Sequence, residues 1–217
     1  MVPFWHQPSL ARRRYSTPLN ADPLGGVLLP ILMTDWFAFY QPFFPSSEEA
    51  RKFVDDCEAQ SPPSNVAKLI MHQSQRLVSL AQEIPTIRPS RESLQVFFLI
   101  VCAEAIAKLD ASGGAALGSR RAVRDFFSSC VPDPSRSRFG DGFTSHSHTP
   151  LGPQGAADIL YDVRCDVAHE GNYWGFTLKH GGTPMLTSAP PVIAHLTIEE
   201  LIQIVVHGCI AAARRHL

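Results

Sequence analysis

The apolar positions of the chain recur at the three- and four-residue spacing of amphipathic helices. A helix of this kind buries one apolar stripe against its neighbours and exposes its polar face. The predicted helices run over residues 46–60, 65–84, 90–110, 119–129, 155–170 and 197–215. The third is apolar nearly all round, which is typical of a helix at the centre of a bundle. The pattern predicts an all-α helical bundle.

Residues with known preferences for helix ends support these bounds. Ser46 stands three residues before Glu49, and Thr197 stands three before Glu200, which is the capping-box spacing. Pro85 is expected to end the second helix, because proline lacks a backbone donor and its ring clashes with the preceding turn.

The remaining segments lack helical periodicity. Residues 1–45 carry five prolines in their first 30 positions and are predicted to be extended or irregular, with the aromatic stretch Asp35–Phe44 buried. Val131–Gln154 is predicted to be a long linker. Between the last two helices, Tyr173–Leu178 and Met185–Ser188 are expected to form a small β-hairpin insertion. The helical domain is therefore predicted to span 46–217.

Composition narrows the function classes. A net charge of −1 argues against coating nucleic acid by bulk electrostatics but is compatible with a local basic cleft. The hydrophobic run from Gly25 to Phe44 contains prolines and an aspartate, so no membrane segment is expected. Pro3, Pro8 and Arg12–Arg14 interrupt any apolar core near the N-terminus, so no signal peptide is expected either. The five cysteines are scattered without a Cys-x-x-Cys pair, which favours reduced thiols in the cytoplasm.

The strongest chemical signal is the segment Leu160–Trp174, in which Arg164 precedes His169 by five residues and Gly171 follows. An arginine can bind phosphate with charge and paired N–H groups, and a histidine can transfer protons near neutral pH. In a regular helix the two side chains lie about 140° apart. That offset favours a site completed by a second copy of the chain at a two-fold interface.

These residues resemble the Arg-x4–6-His motif of HEPN-domain proteins, most closely the Apea-like branch. Leu160-Tyr161 before the arginine, Gly171 after the histidine and the acid-bearing central helix with Glu104 add to the likeness, which covers about residues 90–216. The resemblance implies a homodimeric, metal-independent endoribonuclease without a cofactor. In such an enzyme Arg164 and His169 are catalytic and the RNA 2′-hydroxyl attacks the adjacent phosphorus. The family commonly has Asn, Asp or His directly after the arginine, where this chain has Cys165.

The resemblance also implies a biological setting. Many members of the family act as toxins or defence effectors, some with an antitoxin or another protein partner. Other members are catalytically silent and bind nucleotide, RNA or protein, which is the alternative function for this chain. A third reading is a purely structural helical module.

Structural roles are the alternatives to the catalytic roles of Arg164 and His169. Arg164 can form an ion pair with Glu104, and His169 can bond the last carbonyls of its helix. Cys165, Asp166 and Glu104 are expected to support the site. RNA contacts are expected from Arg120, Arg121, Arg124, Tyr173 and Trp174, for which a solvated helix face and hairpin packing are the alternatives. A metal site at His146 and His148 lacks a third ligand in the sequence, so a solvated loop is favoured there.

Overall fold

A computed structural model describes residues 35–111, 117–179, 185–186 and 192–217 of the chain. The helices are α1 (Trp36–Tyr40), α2 (Ser47–Glu58), α3 (Val66–Ile87), α4 (Glu92–Asp110), α5 (Ser119–Asp125), α6 (Asp133–Asp141), α7 (Gly152–Cys165) and α8 (Ile198–Arg214). The strands are β1 (Phe143–Ser145), β2 (Met185–Leu186) and β3 (Val192–Ala194). A 3₁₀ turn, Gln41–Phe43, follows α1. A helical bundle with a small antiparallel sheet is thus confirmed.

Helix α4 occupies the centre of the bundle, as its apolar sequence predicted. It packs against α3, α5, α7 and α8. Val96, Leu99, Ile100 and Ile106 have no accessible surface. The elements around α4 are therefore positioned mainly by what they bury against it.

The predicted end of α3 at Pro85 was wrong, because the helix continues to Ile87. Proline at this position leaves the carbonyl of Ala81, four residues earlier, without its helical N–H donor. The side-chain amide of Gln95 on α4 supplies the missing hydrogen bond, with Nε2 3.1 Å from the Ala81 oxygen. Gln95 is only 6% exposed, so this bond replaces a backbone bond inside the core.

Replacing Gln95 with Met is expected to destabilise the protein by about 1–3 kcal/mol, because the buried Ala81 carbonyl would lose its donor. Urea unfolding of the wild type and the variant measures the difference. Gln75→Met is the matched control, since its amide bonds the neighbouring Ser79 side chain on the same helix. Equal losses in the two variants would show that the Ala81 bond contributes nothing.

The aromatic stretch near residue 40 is buried, as expected. The Tyr40 hydroxyl donates to the Met71 carbonyl at 2.7 Å, and burial raises the pKa of this phenol. The compact helical unit spans Asp35–Leu217 and so includes residues 35–45, which the sequence analysis assigned to the N-terminal segment. Residues 1–34 lie outside the described residues.

The predicted linker 131–154 was wrong in two places. Asp133–Asp141 forms helix α6, which packs on α7 and α8. The Phe139 ring of α6 is fully buried and stacks on Phe127, with ring centroids 4.0 Å apart. Strand β1 then follows α6 directly. Burial of a few aromatic side chains stabilises this short helix, which has no apolar periodicity of its own.

The sheet differs from the predicted hairpin in its strands. Its order is β1-β3-β2, with antiparallel pairing throughout. Residues 173–178 form no strand, and the strand that pairs with Met185–Leu186 is Val192–Ala194. The backbone of 173–178 is instead tied to the start of α4, where the Ser93 hydroxyl donates to the Phe176 carbonyl.

The start of α8 lies where it was predicted, since Thr197 and Glu200 form a reciprocal capping box. Arg138 of α6 donates to both carboxylate oxygens of Glu200 and so ties α6 to α8. All five cysteines are free, and four of them are buried. Within the described residues, no helix combines the length and the apolar character needed to cross a bilayer.

Candidate functional site

Helix α7 carries Arg164 in its last α-helical turn and ends in a wider, π-helical turn over Asp166–Glu170. The N–H of Gly171 closes this turn on the Asp166 carbonyl, five residues back. Gly171 has φ +63°, a left-handed conformation that glycine adopts without strain. His169 of the motif therefore lies in a π turn, and Arg164 lies just before it. Such turns are rare in general and frequent at functional sites, although a second one, Phe126–Cys130, follows α5 without any of the predicted site residues.

The π turn changes the relation between Arg164 and His169. In a π turn the hydrogen bond joins residues five apart, so such residues lie more nearly above one another than in an α-helix. The angle of about 140° between Arg164 and His169 was predicted for a regular α-helix up to Glu170. That assumption was wrong, because the regular α-helix ends at Cys165. His169 is exposed, whereas the Arg164 side chain is 21% exposed. Arg164 lies two residues before the π turn, and His169 lies within it.

Arg164 uses little of its hydrogen-bonding capacity. One terminal nitrogen, Nη2, lies 3.3 Å from the Oε2 atom of Glu104 on α4, which confirms the ion pair expected from the sequence. The Nε–H group is buried and has no hydrogen-bond partner among the residues that the structure describes. An unpaired buried donor on a cation is costly, and an anion bound there would satisfy it.

Glu104 is held by cations from two elements. Lys108, one turn along α4, donates to its Oε1 atom at 2.5 Å, and Arg164 approaches Oε2. Burial by itself raises the pKa of this carboxyl. Hydrogen bonds from Lys108 and Ser119, together with the charges of Lys108 and Arg164, outweigh burial and leave the pKa below its ordinary value. Glu104 therefore stays ionised and orients the guanidinium of Arg164.

This lowered pKa predicts a pH dependence of stability. A carboxyl whose pKa is depressed by folding stabilises the native state above its unfolded pKa, about 4.3 for glutamate, and loses that contribution as the pH falls through the folded value. Glu104→Gln is expected to lower the melting temperature at neutral pH, with the gap from wild type closing below about pH 4. The exposed Glu83→Gln serves as the control. A gap that stays constant down to acid pH would contradict the role of the Glu104 charge.

Tyr161 lies between two guanidinium groups. Its ring centroid is 5.8 Å from the Cζ atom of Arg164 and 4.6 Å from that of Arg120. Burial, followed by the adjacent Cys165 thiol, raises the pKa of its hydroxyl. Cys165 is half-buried beside Tyr161, so at this point of the helix it contributes to the wall of the site.

Two of the three arginines of α5 are held by carboxylates of α7. Arg124 makes a two-pronged ion pair with Asp158, with distances of 2.7 and 2.6 Å. Arg120 bonds Asp162 and also approaches Asp158. These arginines therefore fix α7 on α5, and their charge is largely compensated. The Arg121 side chain is 76% exposed, and its ion pair with Asp125, at 3.6 Å, is longer than those of the other two arginines. Arg121 is therefore the arginine of this helix most available to a phosphate.

Asp166 lies on the other side of α7. At about 100° per residue, Asp162 and Asp166 each point about 160° away from Arg164. Burial, and then the charges of Glu170 and Asp162, raise the pKa of Asp166. This carboxylate therefore does not face the phosphate that Arg164 would bind, and its predicted supporting role is limited to the turn itself.

The segment after Gly171 places two aromatic side chains near the start of α4. Tyr173 and Trp174 pack edge to face with centroids 4.7 Å apart, and Trp174 is 65% exposed. The guanidinium of Arg91 lies 6.0 Å from the Tyr173 ring centroid. Asn172 adds a buried side-chain oxygen to which no group in the described part of the chain donates a hydrogen bond. An exposed indole and an unpaired acceptor are features of a surface that binds a ligand.

His146 and His148 are exposed in the turn after β1, and His148 has φ +58°. The Ser145 carbonyl accepts from the His148 N–H at 2.9 Å. Over residues 35–111, 117–179 and 192–217, no group of three or more His, Cys, Asp or Glu side chains is placed to hold a metal ion.

Three residues of this region were missed by the sequence analysis as contributors to the site. Lys108 follows Glu104 by four residues and Tyr161 precedes Arg164 by three, so helical spacing alone could have placed each beside its partner. Asn172 follows the π turn, and nothing in the sequence indicated that its amide oxygen would be buried.

Comparison with known proteins adds no relative to this picture. No family model, curated protein or solved structure matches the chain. The likeness to HEPN-domain proteins therefore depends on the residues quoted above, and the function of the chain has to be argued from the geometry around Arg164 and His169.

Proposed function

We propose that the protein is a HEPN-like, metal-independent endoribonuclease. One observation carries the proposal: a largely buried guanidinium with an unpaired Nε–H group lies at the base of a π turn that presents an exposed histidine. The guanidinium is oriented from behind by Glu104, which leaves its remaining donors for an anion. A phosphate diester is the anion whose cleavage needs both a charge stabiliser and a proton carrier.

In the proposed reaction, the ribose 2′-hydroxyl attacks the adjacent phosphorus and the bond to the 5′-oxygen breaks. His169 takes part in the proton transfers, because imidazole exchanges protons near neutral pH. Arg164 stabilises the charge that develops on the non-bridging oxygens. The products are one strand with a 2′,3′-cyclic phosphate and one with a free 5′-hydroxyl. Neither a metal nor a cofactor takes part in this scheme.

The proposed enzyme acts as a homodimer. The π turn removes part of the geometric reason for a two-fold site, so support for the dimer comes instead from α4. One face of α4 is apolar and only half-buried: Leu94, Phe97, Phe98, Val101, Ala105 and Leu109. This face lies on the same helix as Glu104, and a second copy packed against it would bury its apolar side chains.

The proposed setting is the defence or toxin role that the family resemblance implies, in a reducing cytoplasm and with an antitoxin or other protein as partner. The thiols of Cys102 and Cys209, whose sulfur atoms lie 3.8 Å apart in the core, would stay reduced there. A catalytically silent module that binds RNA, nucleotide or protein is the second proposal. It is favoured by Cys165, a half-buried thiol at the position where HEPN-domain proteins commonly carry Asn, Asp or His.

Incubation of the purified full-length protein with single-stranded RNA in EDTA tests the enzyme directly. The expected result is cleavage that leaves 2′,3′-cyclic phosphate ends and that disappears in Arg164→Ala and His169→Ala. Equal cleavage by all three proteins would identify a contaminating nuclease and contradict the proposal. Binding without cleavage would favour the silent module, and neither binding nor cleavage would favour a structural role.

A further inference from the structure

A cavity of about 560 Å³ lies at the start of α4, beside the segment that follows the π turn. Its lining includes Arg91, Glu92 and Gln95 of α4 and its N-cap, Thr177, and Glu199 in the first turn of α8. Three separate parts of the chain therefore contribute polar groups to this cavity: the start of α4, the segment at Thr177 and the first turn of α8. Neither Arg164 nor His169 lines this cavity.

The charges of the cavity disfavour a phosphate. It carries one guanidinium and two carboxylates, so its formal charge is negative. The Glu92 carboxylate accepts from the Leu178 N–H at 2.6 Å, which fixes its position. Carboxylates accept hydrogen bonds only, so the favoured ligand is a neutral group with N–H donors on one edge and acceptors on another.

The surroundings of the cavity favour a flat ring. Arg91 links the cavity to the aromatic pair, since its guanidinium lies 6.0 Å from the Tyr173 ring, which in turn packs on Trp174. Trp174 is 65% exposed and presents a face on which a base can stack. A cavity with convergent polar groups beside a stacking surface matches the way single-stranded RNA bases are bound.

The distance to His169 suits a nucleotide of the same strand. Four residues separate His169 from Tyr173, and an extended chain of that length spans at most about 14 Å. Stacked nucleotides advance about 3.4 Å each. A base stacked on Tyr173 or Trp174 would therefore lie within about four nucleotides of a phosphate bound beside His169.

We propose that this cavity is a guanine-binding subsite that determines where the RNA is cut. Guanine combines acceptors at O6 and N7 with adjacent N1–H and N2–H donors. Arg91 donates to O6 or N7, as arginine commonly does, and the Glu199 carboxylate accepts from the N1 and N2 donors. Uracil offers a single N–H donor and cannot satisfy the carboxylate in this way. The inference deepens the nuclease proposal and rests on it for its biological meaning.

Binding can be measured without catalysis. Trinucleotides with 2′-O-methyl groups lack the attacking hydroxyl, so the full-length wild-type protein can be titrated calorimetrically with four probes that differ only in the middle base. The guanine probe is expected to bind about tenfold more tightly than the uracil probe. Arg91→Ala and Glu199→Gln are expected to abolish this preference. The exposed Arg88→Ala, three residues away in sequence and outside the cavity, should retain it.

The outcomes separate the two proposals. Equal affinity for the four probes, no binding of any probe, or a guanine preference that survives both cavity variants would overturn the subsite. A guanine preference in a protein that cleaves no RNA would keep the subsite and contradict the nuclease. Cleavage that shows no preference for sites near guanine would support the nuclease and contradict the subsite. Trp174→Ala is expected to weaken all four probes alike, by about fivefold or more, because stacking does not depend on the base.

Discussion

His169→Ala is expected to reduce the rate of RNA cleavage by about 10²–10⁴-fold, because a positioned proton carrier contributes acceleration of that size. The side chain is exposed on the π turn, so its removal should leave the melting temperature unchanged. Initial rates on a fluorescently labelled single-stranded RNA in EDTA give the measurement. His146→Ala is the matched control, since this histidine is equally exposed on a turn outside the site.

Arg164 needs a more careful variant, because its removal also takes a cation from the largely buried Glu104. Arg164→Lys keeps the positive charge but loses the paired N–H groups that bind phosphate. A catalytic role predicts a stable Arg164→Lys protein that cleaves RNA at least about 10²-fold more slowly. Full activity in this variant would reduce Arg164 to a structural ion pair.

Two alanine variants, Arg164→Ala and His169→Ala, test whether the site is shared between two chains. If Arg164 of one protomer works with His169 of the other, mixing Arg164→Ala with His169→Ala creates one intact site in each mixed dimer. About a quarter of wild-type activity should then return. A site contained within one protomer predicts no recovery.

Phe139→Ala is expected to produce the largest loss of stability, about 3–5 kcal/mol. The ring has no accessible surface, stacks on Phe127 and approaches Phe143 edge to face at 6.3 Å. For a domain of this size the melting temperature should fall by roughly 6–20 °C. Calorimetric melting of the variant beside wild type measures the shift.

Ile87→Ala provides the comparison for this loss. The side chain is 69% exposed at the end of α3, so its truncation should change stability by less than about 0.5 kcal/mol. A Phe139→Ala protein as stable as the Ile87 variant would mean that α6 contributes nothing to the core and that residues 131–154 behave as the linker predicted from the sequence.

The parts of the fold that the sequence predicted are those with strong local signals. Helix α4 is apolar nearly all round, and α8 begins at a capping box whose two hydrogen bonds both form. Helix α6 could not be predicted in this way, because it contains two serines, two arginines and a proline and is stabilised by one buried ring, Phe139. The strands are three residues or shorter, too short to show alternation.

In the candidate site, too, the sequence predicted the features with a local signal and missed those that depend on packing. The pairing of Arg164 with Glu104 followed from a buried acid that needs a partner, and the structure confirms it. The π turn had no signal in the sequence, because it depends on how α7 meets α4 and not on local preference. The engagement of Arg120 with Asp162 likewise depends on the packing of α5 against α7, which no periodicity reveals.

The π turn has a consequence for how the motif can vary in sequence. A π turn is what results when a helix accepts one extra residue without losing the residues on either side. His169 lies within the π turn and Arg164 lies two residues before it, so the turn contributes its additional residue to the stretch that separates them. A homologue lacking one residue between them could keep the same surface with an ordinary helical ending. A sequence comparison that requires a fixed number of residues between the arginine and the histidine would then place proteins with the same site geometry in different groups.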